Sequence, residues 1–312
     1  MTTYNFLRCY KTGKKSFFLK KIGHAGTLDP IAEGLLIILI NKATKLFNYF
    51  LSFNKEYIAD IKLGVITDTW DLDGEVLARS KIKNIDIKKI SGILNKFTGK
   101  IKQTPPVYSS VKYKGRPSYD FARKGQNIDL KPKTVNIHNL ELVSLENDLL
   151  TVKVNCSSGT YIRSLAYEIG NLLGCGASIK GLKRTKTGDF KLDSSISVED
   201  FLKGKFKKSD LESSSYMISI ERLLDKNPSL YIKDKYRYHV LNGRPVDSGM
   251  VEFARTEDNN LLKKGIFTKI KDSSENIIAI HEILSENVIS DIKSKKLTLT
   301  KSIVIFRQLN KI

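Results

Sequence analysis

The spacing of apolar residues constrains the fold of this chain most, because it changes from segment to segment. Apolar residues alternate with polar ones in segments rich in β-branched and aromatic side chains, and this predicts strands at Tyr57–Leu63, Val135–Leu142 and Leu150–Cys156. Spacings of three and four residues predict helices near Ile85–Phe97, Tyr161–Leu173 and Val198–Leu202. The two types are mixed without a regular βαβ rhythm. We therefore predict an α+β fold around a largely antiparallel central sheet, not a doubly wound one.

The composition also changes along the chain, which suggests more than one domain. A length of 312 residues allows about two domains. The polar, serine-rich stretch Lys203–Ser215 is typical of an insertion or linker. Beyond Leu230, short strand-like pieces are separated by Gly, Asn and Asp. We predict a larger domain at 1–229 and a small β-rich module at 230–312.

A surplus of positive charge is spread along the whole chain. The 53 Lys and Arg residues exceed the 33 Asp and Glu residues, which gives a formal net charge of +20. Polyanions such as nucleic acids are natural partners of such a chain. A solvated, lysine-rich surface explains the charge equally well, so charge alone does not decide between the two.

Cysteine usage and hydropathy predict a cytoplasmic protein without membrane association. Three cysteines at wide spacing leave an odd number, which favours reduced thiols over a disulfide framework or a zinc site. The N-terminal segment lacks the continuous apolar core of a secretory signal. The longest apolar run, Gly34–Ile40, is much shorter than the roughly 18 to 20 residues of a bilayer span and has the length of a buried strand.

Two segments and the four histidines suggest a cofactor or metal site, and none of the three fulfils the requirements. GKKS at Gly13–Ser16 lacks the upstream glycine and the lysine–hydroxyl order of a phosphate-binding P-loop. DTWDLDGEV resembles the middle of a calcium loop, but the first and last ligand positions fall on Thr69 and Ser80. An acidic hairpin is the better interpretation, with Asp73 and Gly74 supplying positive backbone dihedrals. The four histidines never approach a metal-ligand spacing, so we expect neither metal nor cofactor.

Asp29, in the segment KKIGHAGTLDPIAEGLL, has two interpretations. Aspartate directly before proline is typical of a helix N-terminus, with Asp29 as the cap and Pro30 as the first helical residue. The other interpretation is a reactive carboxylate in a loop that admits an anionic ligand. The residues that favour it are Gly23, His24 and Gly26, which permit close approach and hydrogen bonding, and the cations Lys20 and Lys21.

Two further segments carry candidate residues. NCSSGTYIRSLAYEIG predicts a strand, a turn of small residues and a helix whose first turn holds Tyr161 and Arg163. A cation near a helix N-terminus is mildly unfavourable, which a carboxylate partner would compensate; otherwise Arg163 is a surface arginine. In NKEYIADIKLG, Tyr57 lies on a predicted strand, where an aromatic ordinarily packs in the core or against a neighbouring strand.

Several sequence blocks, in this order, resemble one family. They are KIGHAGTLDPIAEGLL, ATKL, KEYIADIKLGVITDTWDLDGEV, QTPPVYSSVKYKGRPSYDFARKG, CSSGTYIRSLAYEIGNLLGCGA and GLKRTKTGDF. From Lys20 to about Gly243 the chain is similar to bacterial tRNA pseudouridine synthases of the B type. The resemblance implies a mixed catalytic domain around a central antiparallel sheet and a small C-terminal RNA-binding module of the PUA type. It also implies isomerisation of uridine 55 in the T-loop of tRNA to pseudouridine, without a cofactor.

The resemblance further implies roles for single residues. Asp29 matches the essential aspartate, Tyr57 the base-stacking tyrosine and Arg163 the arginine that partners the aspartate. The RNA-binding positions are His24, Lys45, Asp71, Tyr161 and Leu182, to which we add Lys20 and Lys21. In such an enzyme the uracil is extruded into a closed pocket, an aromatic face recovers part of the stacking energy, and an arginine favours the ionised carboxylate. The sequence leaves open whether Asp29 attacks the sugar, adds to the base or withdraws a sugar proton.

The chain departs from the family pattern in its shortened N-terminal segment and at Glu33, an acidic residue that needs a partner where a small residue is usual. A rival interpretation is a catalytically silent tRNA-binding or RNA-folding protein that uses the same cleft. A third is a generic polyanion-binding protein. We expect tRNA as the partner and a monomer as the functional state.

Overall fold

The computed structural model describes residues 20–82, 86–203, 214–294 and 298–306. They divide into two compact units. The first contains the described residues within 24–38 and 50–206, and the second those within 18–23, 39–49 and 207–312. The shortened N-terminal segment and residues 204–213 of the predicted linker lie outside the described residues. In the part of the chain that the structure describes, no helix combines the length and apolar character that a membrane span requires.

Short strands and helices alternate irregularly along the chain. The strands are β1 (Ile22–Ala25), β2 (Ala32–Gly34), β3 (Ile37–Ile40), β4 (Lys55–Leu63), β5 (Val65–Thr67), β6 (Val76–Arg79), β7 (Gly99–Gln103), β8 (Lys112–Tyr113), β9 (Arg116–Pro117), β10 (Lys133–Glu146), β11 (Leu149–Cys156), β12 (Ala177–Thr187), β13 (Phe190–Lys191), β14 (Ser229–Ile232), β15 (Val251–Arg255), β16 (Phe267–Lys271), β17 (Ile277–Ile283) and β18 (Thr300–Ile305). The α-helices are α1 (Phe47–Leu51), α2 (Ile87–Phe97), α3 (Ser118–Ala122), α4 (Ile162–Leu173), α5 (Val198–Leu202), α6 (Ile220–Leu223), α7 (Arg237–Leu241) and α8 (Val288–Ser294).

A largely antiparallel sheet organises the first unit. Its strands follow the order β13, β12, β4, β11, β10, β7, and β2 joins β12 as a parallel neighbour. The α+β fold is therefore confirmed. The predicted strands correspond to β4, β10 and β11, and the predicted helices to α2, α4 and α5.

The core of the first unit follows from the residue patterns of β4 and α4. Alternate residues of β4, including Ile61 and Leu63, are buried against the apolar stripe of α4 that contains Leu165 and Ile169. Gly174 ends α4 with a φ of 82°, a left-handed conformation that glycine adopts without a steric penalty. α4 therefore packs in the same core as the sheet and carries Arg163 in its first turn.

The hairpin predicted in DTWDLDGEV is present, because β5 and β6 pair in antiparallel fashion. The predicted dihedrals are wrong, since the positive φ of 61° belongs to Trp70 and not to Asp73 or Gly74. Gly74 is required for a different reason: a Cβ atom there would lie 2.2 Å from Thr69 Oγ1. The chain turns earlier than predicted because Asp71 forms a bridge with Ile179 of β12.

The prediction of one buried strand at Gly34–Ile40 is also wrong. The run is divided between β2, which ends at Gly34, and β3, which begins at Ile37. Gly34 has a φ of 102°, and a Cβ atom there would lie 2.3 Å from the backbone oxygen of Arg184. This close approach to β12 ends β2 and redirects the chain.

The second unit is built on a five-stranded sheet of order β15, β14, β16, β17, β18. Leu230, Ile232, Ile270 and Ile278 belong to its own hydrophobic core. The β-rich character predicted for the C-terminal part is confirmed. The boundary between residues 229 and 230 stays a prediction.

Candidate active site

Asp29 lies in a turn that leads into a strand. The backbone N–H of Ala32 donates to the carbonyl of Asp29 at 2.9 Å, and β2 begins at Ala32, where it pairs with Leu182 of β12. No helix follows Pro30 in this described segment, so the interpretation of Asp29 as a helix cap is wrong. The Asp29 side chain is 33% exposed.

Arg163 is the centre of the site. Its Nε donates to Asp29 Oδ2 at 2.9 Å, its Nη1 to the carbonyl of Thr69 at 3.0 Å, and its Nη2 to the carbonyl of Tyr108 at 2.9 Å. Nη1 also lies 3.4 Å from Asp71 Oδ2. With a side chain only 5% exposed, Arg163 is not a surface arginine. Its guanidinium therefore connects the Asp29 turn, the hairpin segment before β6 and the segment after β7.

Asp71 faces the protein interior. Thr69 Oγ1 donates to Asp71 Oδ1 at 2.7 Å, and the backbone N–H of Asp73 donates to the same oxygen at 3.2 Å. Burial raises the pKa of Asp71, and the hydrogen bond from Thr69 and the charge of Arg163 oppose this effect. These contacts assign Asp71 to the support of Arg163. Its direct contact with RNA stays a prediction.

Tyr57 lies on β4 with its ring packed against the core. Burial raises its pKa to about 12, while Arg184 acts in the opposite direction through its charge and a hydrogen bond and the charge of Asp29 raises it slightly. The phenol therefore stays neutral throughout the working pH range.

Arg184 is a site residue that the sequence analysis missed. Its side chain is almost fully buried, Nε donates to the carbonyl of Leu35 at 2.8 Å, and Nη2 donates to the carbonyl of Gly26 at 3.0 Å. These bonds fasten both sides of the loop that carries Asp29. The alternation of β12 could have predicted this burial, because Leu182 and Arg184 are two residues apart and share the buried face of that strand.

Gln103 is a second missed residue, and it fixes Tyr161. The N–H of Tyr161 donates to Gln103 Oε1 at 2.8 Å, and Gln103 Nε2 donates to the carbonyl of Tyr161 at 3.1 Å. Burial raises the pKa of Tyr161, and the charge of Asp29 acts in the same direction. Tyr161 therefore stands at the start of α4 as a neutral side chain.

The other candidates occupy different environments. Burial, followed by the charge of Arg184, lowers the pKa of His24 and so favours its neutral form. Leu182 is 6% exposed and belongs to the core of the first unit. Glu33 finds a partner in Lys183, with Nζ 3.6 Å from Oε1. Among the described residues, no group of three or more His, Cys, Asp or Glu side chains is arranged to hold a metal ion.

The three lysines predicted to bind RNA belong to the second unit and are exposed. The backbone N–H groups of Lys20 and Lys21 each donate to Asn41 Oδ1 at 3.2 Å. Lys45 lies in the last turn of a 3-10 helix, Asn41–Leu46. Their ammonium groups can therefore meet an anionic ligand.

Comparison with known proteins identifies the family. Residues 14–162 match the TruB family pseudouridylate synthase N-terminal domain, and residues 163–226 match the tRNA pseudouridylate synthase B C-terminal domain. The tRNA pseudouridine synthase B of Clostridium tetani is 38% identical over 259 residues, which are 83% of this chain and 86% of that protein. The chain belongs to the TruB family of pseudouridylate synthases. The resemblance seen in the sequence blocks is thereby confirmed.

A further relative and one solved structure are also similar to this chain. The tRNA pseudouridine synthase B of Francisella tularensis subsp. holarctica is 37% identical over 285 residues, which are 91% of this chain and 86% of that protein. A chain in the crystal structure of a Cbf5-Nop10-Gar1 complex superimposes with a TM-score of 0.70 at 24% identity, over 96% of this chain and 80% of that chain. This second likeness shows a shared fold.

Proposed function

We propose that this TruB-family chain converts uridine to pseudouridine at position 55 in the T-loop of tRNA, with ionised Asp29 as the reagent. The observation that carries the proposal is the buried guanidinium of Arg163, which contacts Asp29 Oδ2 at 2.9 Å while a third of the Asp29 side chain, 33%, is open to solvent. The curated relatives, named tRNA pseudouridine synthase B, support tRNA as the substrate.

The reaction breaks the bond between N1 of uracil and C1′ of the ribose and forms a bond between C5 and C1′. N1 gains a proton and C5 loses one, so the balance requires neither redox change nor water. Attack on the sugar, addition to the base and withdrawal of a sugar proton all need a charged carboxylate beside the nucleotide. Arg163 places a positive charge in direct contact with the Asp29 carboxylate, at 2.9 Å.

Binding requires the target uridine to leave its stack. Tyr57 serves as the stacking platform, since base–aromatic stacking contributes roughly 1 to 3 kcal/mol per base. His24 and Tyr161 line the pocket as neutral groups, and Leu182 supplies an apolar wall. Lys20, Lys21 and Lys45 contact phosphates, which are the usual anchors of an RNA–protein complex.

The remaining assignments complete the proposal. Residues 1–229 form the catalytic domain and residues 230–312 an RNA-binding module of the PUA type. The enzyme works as a monomer in the cytoplasm and needs no cofactor, because each bond change occurs within one nucleotide.

The decisive experiment incubates the purified protein with an unmodified tRNA transcript and maps pseudouridine by mass spectrometry. Asp29→Asn should retain tRNA binding and form no pseudouridine, because the amide is isosteric but uncharged. Asp193→Asn is the matched control, since Asp193 is an exposed aspartate in the 3-10 turn Leu192–Ser194. A transcript with cytidine at position 55 should stay unmodified.

Each alternative predicts a different result. If wild-type protein binds tRNA and forms no pseudouridine, the silent RNA-binding interpretation is correct. Pseudouridine at another position would refute the T-loop assignment and keep the enzyme. Affinity that falls equally with salt for every RNA would identify a generic polyanion-binding protein, because shape recognition leaves a preference at moderate ionic strength.

A further inference from the structure

Trp70 has an unusual backbone conformation next to the site. Its φ is 61°, in the left-handed region that glycine adopts freely and a bulky aromatic residue rarely occupies. Such strain persists only where the surroundings over-determine it.

The ring of Trp70 is held by a stack. It lies on the ring of Tyr167 with a centroid distance of 4.4 Å and an interplanar angle of 12°. Tyr167 belongs to α4, four residues after Arg163, so the two project from neighbouring turns of one helix. The stack therefore connects the strained residue to the helix that carries the arginine.

The backbone around Trp70 is bonded in two directions. The carbonyl of Thr69 accepts from Arg163 Nη1 at 3.0 Å, whereas the carbonyl of Trp70 accepts from the N–H of Ile179 on β12 at 3.0 Å. Asp71 follows with Oδ2 at 3.4 Å from the same Nη1. The left-handed turn at Trp70 lets successive carbonyls reach different elements and brings Asp71 back to the guanidinium.

We propose that Trp70 and Tyr167 form a positioning clamp, which holds the Thr69 carbonyl and Asp71 against Arg163 and thereby sets where Arg163 meets Asp29. Neither ring has to touch the substrate. This inference rests on the proposed function and names two positioning residues of the same site.

The first test is spectroscopic and independent of activity. Trp70 is the only tryptophan of the chain, so its emission reports on the stack directly. Tyr167→Ala should shift the emission to the red and increase quenching by acrylamide, whereas Tyr167→Phe should resemble wild type because it keeps the ring. Leu172→Ala is the control, since Leu172 is an exposed residue of the same helix, at 49% exposure. An unchanged quenching constant in Tyr167→Ala overturns the clamp.

The second test is kinetic and separates positioning from RNA contact. Tyr167→Ala should lower kcat by roughly 10- to 100-fold with KM for tRNA unchanged, as expected when a catalytic group is misplaced. Tyr167→Phe should restore kcat. Trp70→Gly should keep more activity than Trp70→Ala, because glycine adopts the turn without strain. A raised KM with normal kcat would mean that the rings contact RNA, and normal kcat in Tyr167→Ala would remove the positioning role.

A third measurement tests the clamp even if wild-type protein forms no pseudouridine, a result that would refute only the proposed function. It is a double-mutant cycle in which the free energy of unfolding is measured for Arg163→Ala, Tyr167→Ala and the double variant. The clamp predicts non-additive losses, because each variant releases the segment that the other holds. Additive losses overturn it whatever the activity.

Discussion

Removal of the Arg163 side chain should destabilise the first unit strongly. The guanidinium is 5% exposed and its partner Asp71 is 7% exposed, so Arg163→Ala leaves a buried carboxylate without a cation and two carbonyls, of Thr69 and Tyr108, without their donor. Loss of one partner of a buried pair costs about 3–5 kcal/mol. The contact with Asp29, which is 33% exposed, adds little because solvent screens it.

This loss corresponds to a fall in the unfolding midpoint of roughly 6–20 °C, at about 2–4 °C per kcal/mol for a unit of this size. The assay is thermal and urea unfolding of wild type, Arg163→Ala, Asp71→Asn and the double variant. The double variant should lose less than the sum of the single losses, with a coupling of roughly 0.5–3 kcal/mol, because the neutral amide no longer needs a cation. Arg79→Ala, an exposed arginine on β6, is the control and should change stability little.

The stability lost in Arg163→Ala should also depend on pH. Burial already raises the pKa of Asp71, and loss of Arg163 raises it further, so the folded variant takes up a proton more readily than the unfolded chain. The deficit of Arg163→Ala should therefore shrink as the pH falls and Asp71 becomes protonated. Additive losses together with a deficit that does not change with pH would refute the buried ion pair. In the same variant, turnover should fall far more than tRNA affinity.

Three further predictions concern other elements. Tyr57→Ala should weaken tRNA binding by roughly 1–3 kcal/mol in a filter-binding assay, whereas Tyr57→Phe should keep affinity, and equal losses in both would exclude stacking. His281 is fully buried, and burial lowers its pKa to about 3, so below about pH 6.5 only the unfolded chain takes up a proton at this residue. The stability of the second unit should therefore fall by about 1.4 kcal/mol per pH unit as the pH drops below that value. Urea unfolding at a series of pH values measures this fall, and His281→Gln should reduce it. Gly34→Ala should abolish activity, because its Cβ atom would force β2 away from β12. Gly92→Ala is the control: a Cβ atom there meets nothing within 4 Å, and the change should stabilise α2 by about 0.5–1 kcal/mol in unfolding experiments. A Gly34→Ala variant with normal activity would contradict the close approach of β2 to β12.

The fold was predictable wherever one face of an element is buried. Tyr57–Leu63 alternates because β4 has one face in the core, and the apolar stripe of α4 follows from its contact with the same sheet. The prediction of one strand at Gly34–Ile40 was wrong because a continuous apolar run does not show where a strand is interrupted. That break depends on the close approach of Gly34 to Arg184, which lies far away in the sequence.

The site was predictable only in part, because its geometry depends on contacts between distant residues. Asp29 and Arg163 are separated by 134 positions, so spacing could not pair them and only the family resemblance did. Arg184 was missed because a basic residue among lysines suggests a solvated surface, although its position on β12 buries it. Trp70 was missed because no local pattern predicts a left-handed tryptophan; its conformation depends on Tyr167 and Ile179.

The formal charges of the site lead to a last prediction about salt. Asp29 and Asp71 carry two negative charges, and the buried guanidinium groups of Arg163 and Arg184 carry two positive ones. His24, whose pKa is lowered by burial and by Arg184, adds no charge near neutrality. A site without net charge suits a neutral uracil but attracts no phosphate, so attraction for tRNA must come from exposed cations elsewhere on a chain of net charge +20.

Added salt should therefore raise KM for tRNA steeply, as counterion release requires, while kcat at saturating tRNA stays nearly constant, because the bound uridine should cover Asp29 and exclude the solvent that screens its contact with Arg163 in the free protein. Steady-state kinetics across a salt series measures both quantities. A kcat that falls in parallel with affinity would show that the ion pair between Asp29 and Arg163 is open to the solvent during the reaction, and the proposed closed pocket would have to be abandoned.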